Sequence, residues 1–302
     1  MTTDKRILKT HVTSLYQIQK LRIQLGNRVC AAFRDKLGLE PSQPEKEEAQ
    51  AAAILKILRQ ECKLVTDGVV KVTLKLDNKS KILTELSEIR LIEGYEQLLA
   101  TEETHKKAVE DELKKFPIWT QWLKGVKGVG PLMAGVIISS IDIHKAHHPS
   151  SLWVYAGIDV VMVMDEETLE LTGEGRCKKK HHLVPKTYTK RNGETVDTFG
   201  ISYNDFLKSK MLGVLGSSFI RCAGGCHYRD IYIEHKFWLQ SHPEHKKLTK
   251  MHIHNRARRF MIKEFFCDLY EKWRTLEGLE VLPRYSEAKL GIEHKAYLKE
   301  AA

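Results

Sequence analysis

Trp122-Leu-Lys-Gly-Val-Lys-Gly-Val-Gly-Pro-Leu-Met-Ala-Gly-Val-Ile-Ile-Ser-Ser-Ile-Asp142 decides how this chain is read. A glycine-spaced turn, with Val126, Gly128, Val129 and Gly130 in the order h-x-G-h-G, runs into an apolar stretch of helix length. Glycine at 128 and 130 predicts positive φ and close approach of the backbone to whatever lies beside it. Pro131 suits a first helical position, and the unpaired N–H groups of a new helix favour an anion. This is the spelling of a helix-hairpin-helix phosphate grip flanked by Lys124 and Lys127. A tight helix-to-helix turn packed on a neighbour uses the same residues, so both readings stand.

The surroundings are those of a globular protein with room for two domains: 302 residues, 42% hydrophobic and 29% charged. No run approaches the roughly eighteen apolar residues of a membrane span, and Met-Thr-Thr-Asp-Lys-Arg at the start lacks the apolar region of a signal peptide. The expectation is a cytoplasmic protein, nucleoid-associated in a bacterium. Six cysteines without framework spacing read as reduced thiols. Net charge is +10, and it is localised: Leu171 to Lys263 holds 19 Lys or Arg against 7 Asp or Glu. A surplus gathered in one segment points to a polyanion-binding face.

Ahead of the turn, Leu8, Val12, Leu15, Ile18, Leu21, Leu25, Val29 and Phe33 recur at steps of three and four, one face of a long helix. Pro41-Ser-Gln-Pro44 ends it, and a second helix is expected from about Glu45 to Leu64. Val69 to Leu76 reads as a strand with a turn at Asp77-Asn78, and Ser80 to Leu113 as another helix. Long amphipathic helices suit either an antiparallel coiled-coil arm that dimerises or an ordinary bundle.

Beyond the turn, Ser150 or Ser151 is expected to cap a short helix, Leu152 to Ala156, closed by Gly157. Val160 to Met164 has strand character, with a turn at Asp165-Glu-Glu. Lys186 to Phe199 reads as a hairpin whose Asn192-Gly193 pair suits a type I′ turn. Helices follow from Phe206 to Phe219, Tyr228 to Ser241 and His254 to Leu276. The fold class expected is mainly α: a long-helix region over 1–115, a helix-hairpin-helix domain over 116–276 with a small β insert at about 159–200, and a tail over 277–302.

Three basic clusters bracket the insert: Arg176, Lys178, Lys179 and Lys180 with His181 and His182; Lys186, Lys190 and Arg191; and Arg256, Arg258 and Arg259. Such side chains neutralise phosphates without reading bases. Cys222 and Cys226 with His227, His235, His242 and His245 lack the paired spacing of a structural zinc site. Asp142, Asp159 and Asp165 form no carboxylate set for metal-assisted hydrolysis. Neither a metal nor a cofactor is expected. Thr172, in the glycine-rich basic loop Thr172-Gly-Glu-Gly-Arg176, is a candidate nucleophile for phosphoryl transfer.

The order of these pieces resembles the C-terminal transposase domain of the insertion-sequence family one-ten, also called one-sixteen and nine-oh-two, the bridge-RNA-guided recombinases. The resemblance rests on Val126-Lys-Gly-Val-Gly-Pro-Leu-Met-Ala-Gly, Ile141-Asp-Ile, Trp153-Val-Tyr-Ala-Gly-Ile158, Thr172-Gly-Glu-Gly-Arg-Cys-Lys-Lys-Lys180, Phe206 to Phe219 and Ala257-Arg-Arg-Phe-Met-Ile-Lys263. It implies DNA binding in transposition or recombination, with RNA as a further partner. The family's serine nucleophile falls at Thr172, and its acidic RuvC-like domain has no counterpart in this sequence. The expectation is therefore a transposase-like DNA-binding protein that contacts the nucleic-acid backbone through Lys124, Lys127, Gly128, Gly130 and the basic clusters and forms homo-oligomers through its N-terminal helices. A recombinase acting through Thr172, or an RNA-binding, dimerising scaffold, is the alternative.

Overall fold

A computed structural model describes residues 3–40, 46–69, 82–164, 171–245 and 248–284. The turn expected at Asp165-Glu-Glu, the tail beyond 284 and all but the first residue of the strand expected from Val69 lie outside the described residues. What is described is mainly helical, with two antiparallel strand pairs. The chain divides into two compact units, Thr10–Asp111 and Met1–Lys9 with Glu112–Ala302.

In the Thr10–Asp111 unit, helices α1 (Thr3–Arg34), α2 (Glu47–Val69) and α3 (Leu86–Leu113) bury their apolar faces on one another. Val29, Cys30 and Phe33 of α1 meet Ile54, Leu58 and Cys62 of α2 and Ile89 and Ile92 of α3. Pairs of His11 with His105, Gln19 with Glu102 and Lys36 with Glu88 run in opposite senses along α1 and α3, so these helices are antiparallel. The apolar period is thus met within the chain. Leu21, which that period placed inside, is 53% exposed. Helix α3 starts at Leu86 rather than near Ser80 because the Glu88 carboxylate accepts the Thr84 and Glu85 amides at 2.8 and 3.1 Å, fixing the first turn there.

The larger unit takes up the decisive stretch. Helix α4 (Pro117–Gln121) and a 3-10 turn at Leu123–Gly125 lead through the corner into α5 (Pro131–Ser140), where Met133 to Ser139 are all buried. Gly128 has φ +95, and an added Cβ would lie 2.6 Å from the Phe219 ring. Its carbonyl accepts the Ser218 hydroxyl at 2.8 Å. Gly130 departs from expectation: it is extended, φ −87 and ψ 168, as the residue preceding Pro131 at the helix start. Only one of the two glycines is therefore demanded by the backbone.

Helix α6 spans Pro149–Tyr155 and starts earlier than expected: His148 is the capping residue, and the Ser151 hydroxyl sits one turn in, accepting the His148 amide at 3.4 Å. After the β insert come α7 (Asp205–Ser209), a π-helical turn at Lys210–Leu215 and α8 (Gly216–Arg221), where one uninterrupted helix was expected. The wide turn keeps Met211, Leu215 and Phe219, four residues apart, all buried. Helices α9 (His227–Ser241) and α10 (Lys250–Leu276) then pack side by side. Helix α10 is the spine of this unit: Ala257, Met261, Phe265, Leu269 and Trp273 are buried at helical spacing. Arg274 anchors the loop after α5 by donating to the Ala146 carbonyl at 2.8 Å.

The insert is two separate ladders, β1 (Val160–Met164) with β2 (Leu171–Gly175), and β3 (Val184–Thr189) with β4 (Thr195–Gly200). In the second, the turn differs from the expected type I′. The Gly193 amide donates to the Lys190 carbonyl at 2.9 Å, which makes Arg191 and Asn192 the central residues and leaves Gly193 to follow at φ +85. That is a three-residue hairpin loop with a left-handed glycine.

Gly128→Ala is expected to lower stability by about 1–3 kcal/mol through left-handed strain alone, more if Phe219 must move, while Gly130→Ala is near neutral because its Cβ meets open space. Urea unfolding of the two variants checks this, and equal midpoints contradict it.

Candidate nucleic-acid interface

Helix α10 carries a second stripe besides its buried one. His252, Arg256, Arg259 and Lys263 follow at intervals of four, three and four, which aligns them on one face. That face, a wall of α9 and the β1–β2 ladder enclose a cleft of about 1030 Å³. Lys179 and Arg258 add their charges to its lining, and among the described residues Glu174 is the acidic one in it.

Whether these cations are available depends on the carboxylates nearby. Asp159 is taken by Arg176, whose Nε and Nη2 both lie 2.8 Å from its oxygens. Glu174 is taken by Lys179 at 2.9 Å and by His181 at 3.2 Å. Among the described residues Arg256, Arg259 and Lys263 have no ion-pair partner. Burial lowers the affinity of the Arg259 guanidinium for its proton, with Asp159 opposing, and burial does the same to Lys263. Lys263 lies over the Trp153 ring at 5.0 Å, and the Trp153 indole donates to the Lys263 carbonyl. The arrangement therefore holds partly desolvated positive charge facing an open cleft, the condition in which a polyanion gains most.

Gly175 is what lets Arg259 reach the wall. A Cβ built there would lie 1.7 Å from Arg259 Nη1, so the guanidinium occupies the space a side chain would fill. On the α9 side, His235 stacks on Phe260 with ring centroids 4.1 Å apart, which fixes the far wall as an aromatic surface. Burial pulls the His235 imidazole down to about 4.

The structure brings Lys179, Arg256, Arg258 and Arg259 together and parts them from the rest of the expected set. Arg176 is locked to Asp159 and to Ser202, Lys178 pairs with Asp205 at 2.7 Å, and Lys190 pairs with Glu194 at 2.9 Å. Lys180 is exposed in a 3-10 turn, and Arg191 occupies the hairpin loop. Lys124, Lys127, Gly128 and Gly130 do not line the cleft. Lys127 instead donates to the Gly224 carbonyl at 3.3 Å, tying the corner to the loop that holds Cys222 and Cys226. Among the described residues that cysteine pair gathers no histidine into a ligand cluster. Thr172, expected in a glycine-rich loop, lies instead on strand β2 opposite Val163, because Leu171–Gly175 pairs antiparallel with β1. Lys263 was absent from the sequence-derived set, although its four-residue interval from Arg259 was visible.

Scans against protein-family models, curated proteins and solved structures find no match for this chain. No described helix is long and apolar enough to cross a membrane.

The His235 imidazole has a folded value of about 4, below its ordinary 6.5. Between those values the unfolded chain binds the extra proton, so the contribution of this residue is present above pH 6.5 and lost as pH falls towards 4. His235→Phe, which keeps the stack on Phe260, is expected to flatten the fall of the melting temperature between pH 6.5 and pH 4; a profile parallel to wild type contradicts this.

Proposed function

We propose that this chain is a DNA-binding protein of the transposase type, which holds a duplex by its phosphates along the cationic wall of the α9–α10 cleft. One observation carries the reading: Arg256, Arg259 and Lys263 line a single cleft without ion-pair partners among the described residues, while Arg176, Lys178 and Lys190 are neutralised by the protein itself. The resemblance of the motif order to that of insertion-sequence transposases supports the choice of DNA. The helix-hairpin-helix corner contributes less to this reading, because Gly128 has a sufficient explanation in its packing on Phe219.

Backbone contacts release counterions, so affinity falls with salt by about 0.9 log units per log unit for each phosphate neutralised. With three or four contacts a slope near −3 is expected for labelled duplex. Replacing Arg256 and Arg259 together by alanine should weaken binding by about tenfold or more and flatten that slope by about two, whereas Lys190→Ala with Arg191→Ala should change little. A flat salt response, or equal loss in the two double variants, overturns the reading. A preference for RNA over duplex would keep the cleft and change the ligand.

Gly175→Ala tests the geometry from the other side. The new methyl group takes the place of the Arg259 guanidinium, the flexible end of a long side chain. Binding is expected to fall as it does in Arg259→Ala while the melting temperature holds. Unchanged affinity would remove Arg259 from the contact surface. The recombinase alternative rests on Thr172 of the basic glycine-rich motif, and its test is a covalent adduct with nicked duplex that disappears in Thr172→Ala; no adduct in wild type removes it.

A further inference from the structure

Next to the cationic wall lies a group of side chains that the phosphate reading leaves unused. Glu174 points from β2 towards a 3-10 turn at Lys180–His182, held by the His182 amide donating to the Lys179 carbonyl at 2.9 Å. His181 Nε2 is 3.2 Å and His182 Nε2 3.7 Å from the same Glu174 oxygen, and the three ligand atoms all lie within 4.8 Å of one another. Two nitrogens and an oxygen bound to zinc at about 2.0–2.1 Å in a tetrahedron stand about 3.3 Å apart. The spacing here is close to that before any ion is added.

The second observation is His182 itself. Its side chain is fully buried, and among the described residues its Nε2 has no hydrogen-bond partner. A buried polar atom left unpaired forfeits its hydration without compensation and calls for an explanation. The atom is aimed at Glu174 from a distance too long for a hydrogen bond and suited to sharing an ion.

We propose that Glu174, His181 and His182 form a transition-metal site of the zinc type. An imidazole, imidazole and carboxylate set favours zinc, cobalt or nickel over magnesium or calcium, which take oxygen ligands. Three protein ligands leave a fourth position for water or an anion, as in sites that act on a ligand rather than merely stabilise the fold. Ligation through Nε2 puts the ring proton of His182 on Nδ1. That atom lies 3.1 Å from both Cys177 Sγ and the Cys177 amide; the sulfur becomes its acceptor, and the amide loses the hydrogen bond it makes in the empty site. Lys179, which holds Glu174 at 2.9 and 3.0 Å, stands where the cation's charge would be and swings away on loading.

Metal-stripped full-length protein, without nucleic acid, is titrated with Zn²⁺ by calorimetry and with Co²⁺ by visible absorption. One equivalent is expected, with the intense d–d bands of a four-coordinate cobalt site, and an excess of Mg²⁺ should not compete. Glu174→Gln and His181→Ala, both at partly exposed positions, should weaken binding at least tenfold, while His144→Ala with His227→Ala, which removes two exposed histidines elsewhere, should leave it unchanged. Failure of the wild type to retain an equivalent overturns the proposal whatever the variants do. So does retention of full affinity by folded Glu174→Gln and His181→Ala. Because no DNA is present, loss of this site and loss of the cleft reading are separate results.

Discussion

A guanidinium pressed against a glycine, with no carboxylate bonded to it among the described residues, is the constraint on which the larger unit turns. Arg259 is partly withdrawn from water and comes within reach of Asp159, yet Asp159 is held by the fork of Arg176. Desolvating a cation costs several kcal/mol when nothing compensates. The fold tolerates that cost because α10 is fixed by its other face, where Met261, Phe265 and Leu269 are fully buried. Apolar burial on one stripe of the helix thus holds positive charge in place on the next. On the proposed reading, a polyanion would meet charge already positioned and partly stripped of water, with little ordering entropy left to lose.

Much of this was written in local sequence, and the part that was not has a single physical cause. The stripes of α1, α9 and α10 follow from a period of 3.6, and β1 and the β3–β4 hairpin from short apolar and threonine-rich runs between turn residues, whereas β2 falls where the sequence reads as a glycine-rich loop. What one-dimensional reading could not supply was which charges cancel. Arg176, Lys178 and Arg259 look alike in the sequence, but Asp159 lies 17 residues before the first and Asp205 lies 27 after the second. Only the folded chain makes the third the one that is left over. The same holds at short range: Asn192-Gly193 specifies a hairpin, while the loop around it places the turn one residue earlier. Glu174 and His182 likewise stand eight positions apart and meet only because a 3-10 turn folds the chain back.

The corner at Val126–Gly130 shows how one motif can answer two demands. Its positive φ belongs to Gly128, and the neighbour that lies against it is the Phe219 ring. Glycine signals close approach without naming what approaches. By contrast, Gly175 adopts ordinary strand pairing with Val160 and is needed for space alone, and the atom that uses the space is a cation facing the cleft. In this chain the less conspicuous glycine is the one that lines the cleft.

Hydrogen exchange of the full chain, with and without a saturating DNA duplex, tests the central claim most directly. The account predicts slowed exchange in peptides from the head of α10 and from β2, with residues 124–130 unaffected. Protection confined to 124–130, with the head of α10 exchanging as in the free protein, would contradict it.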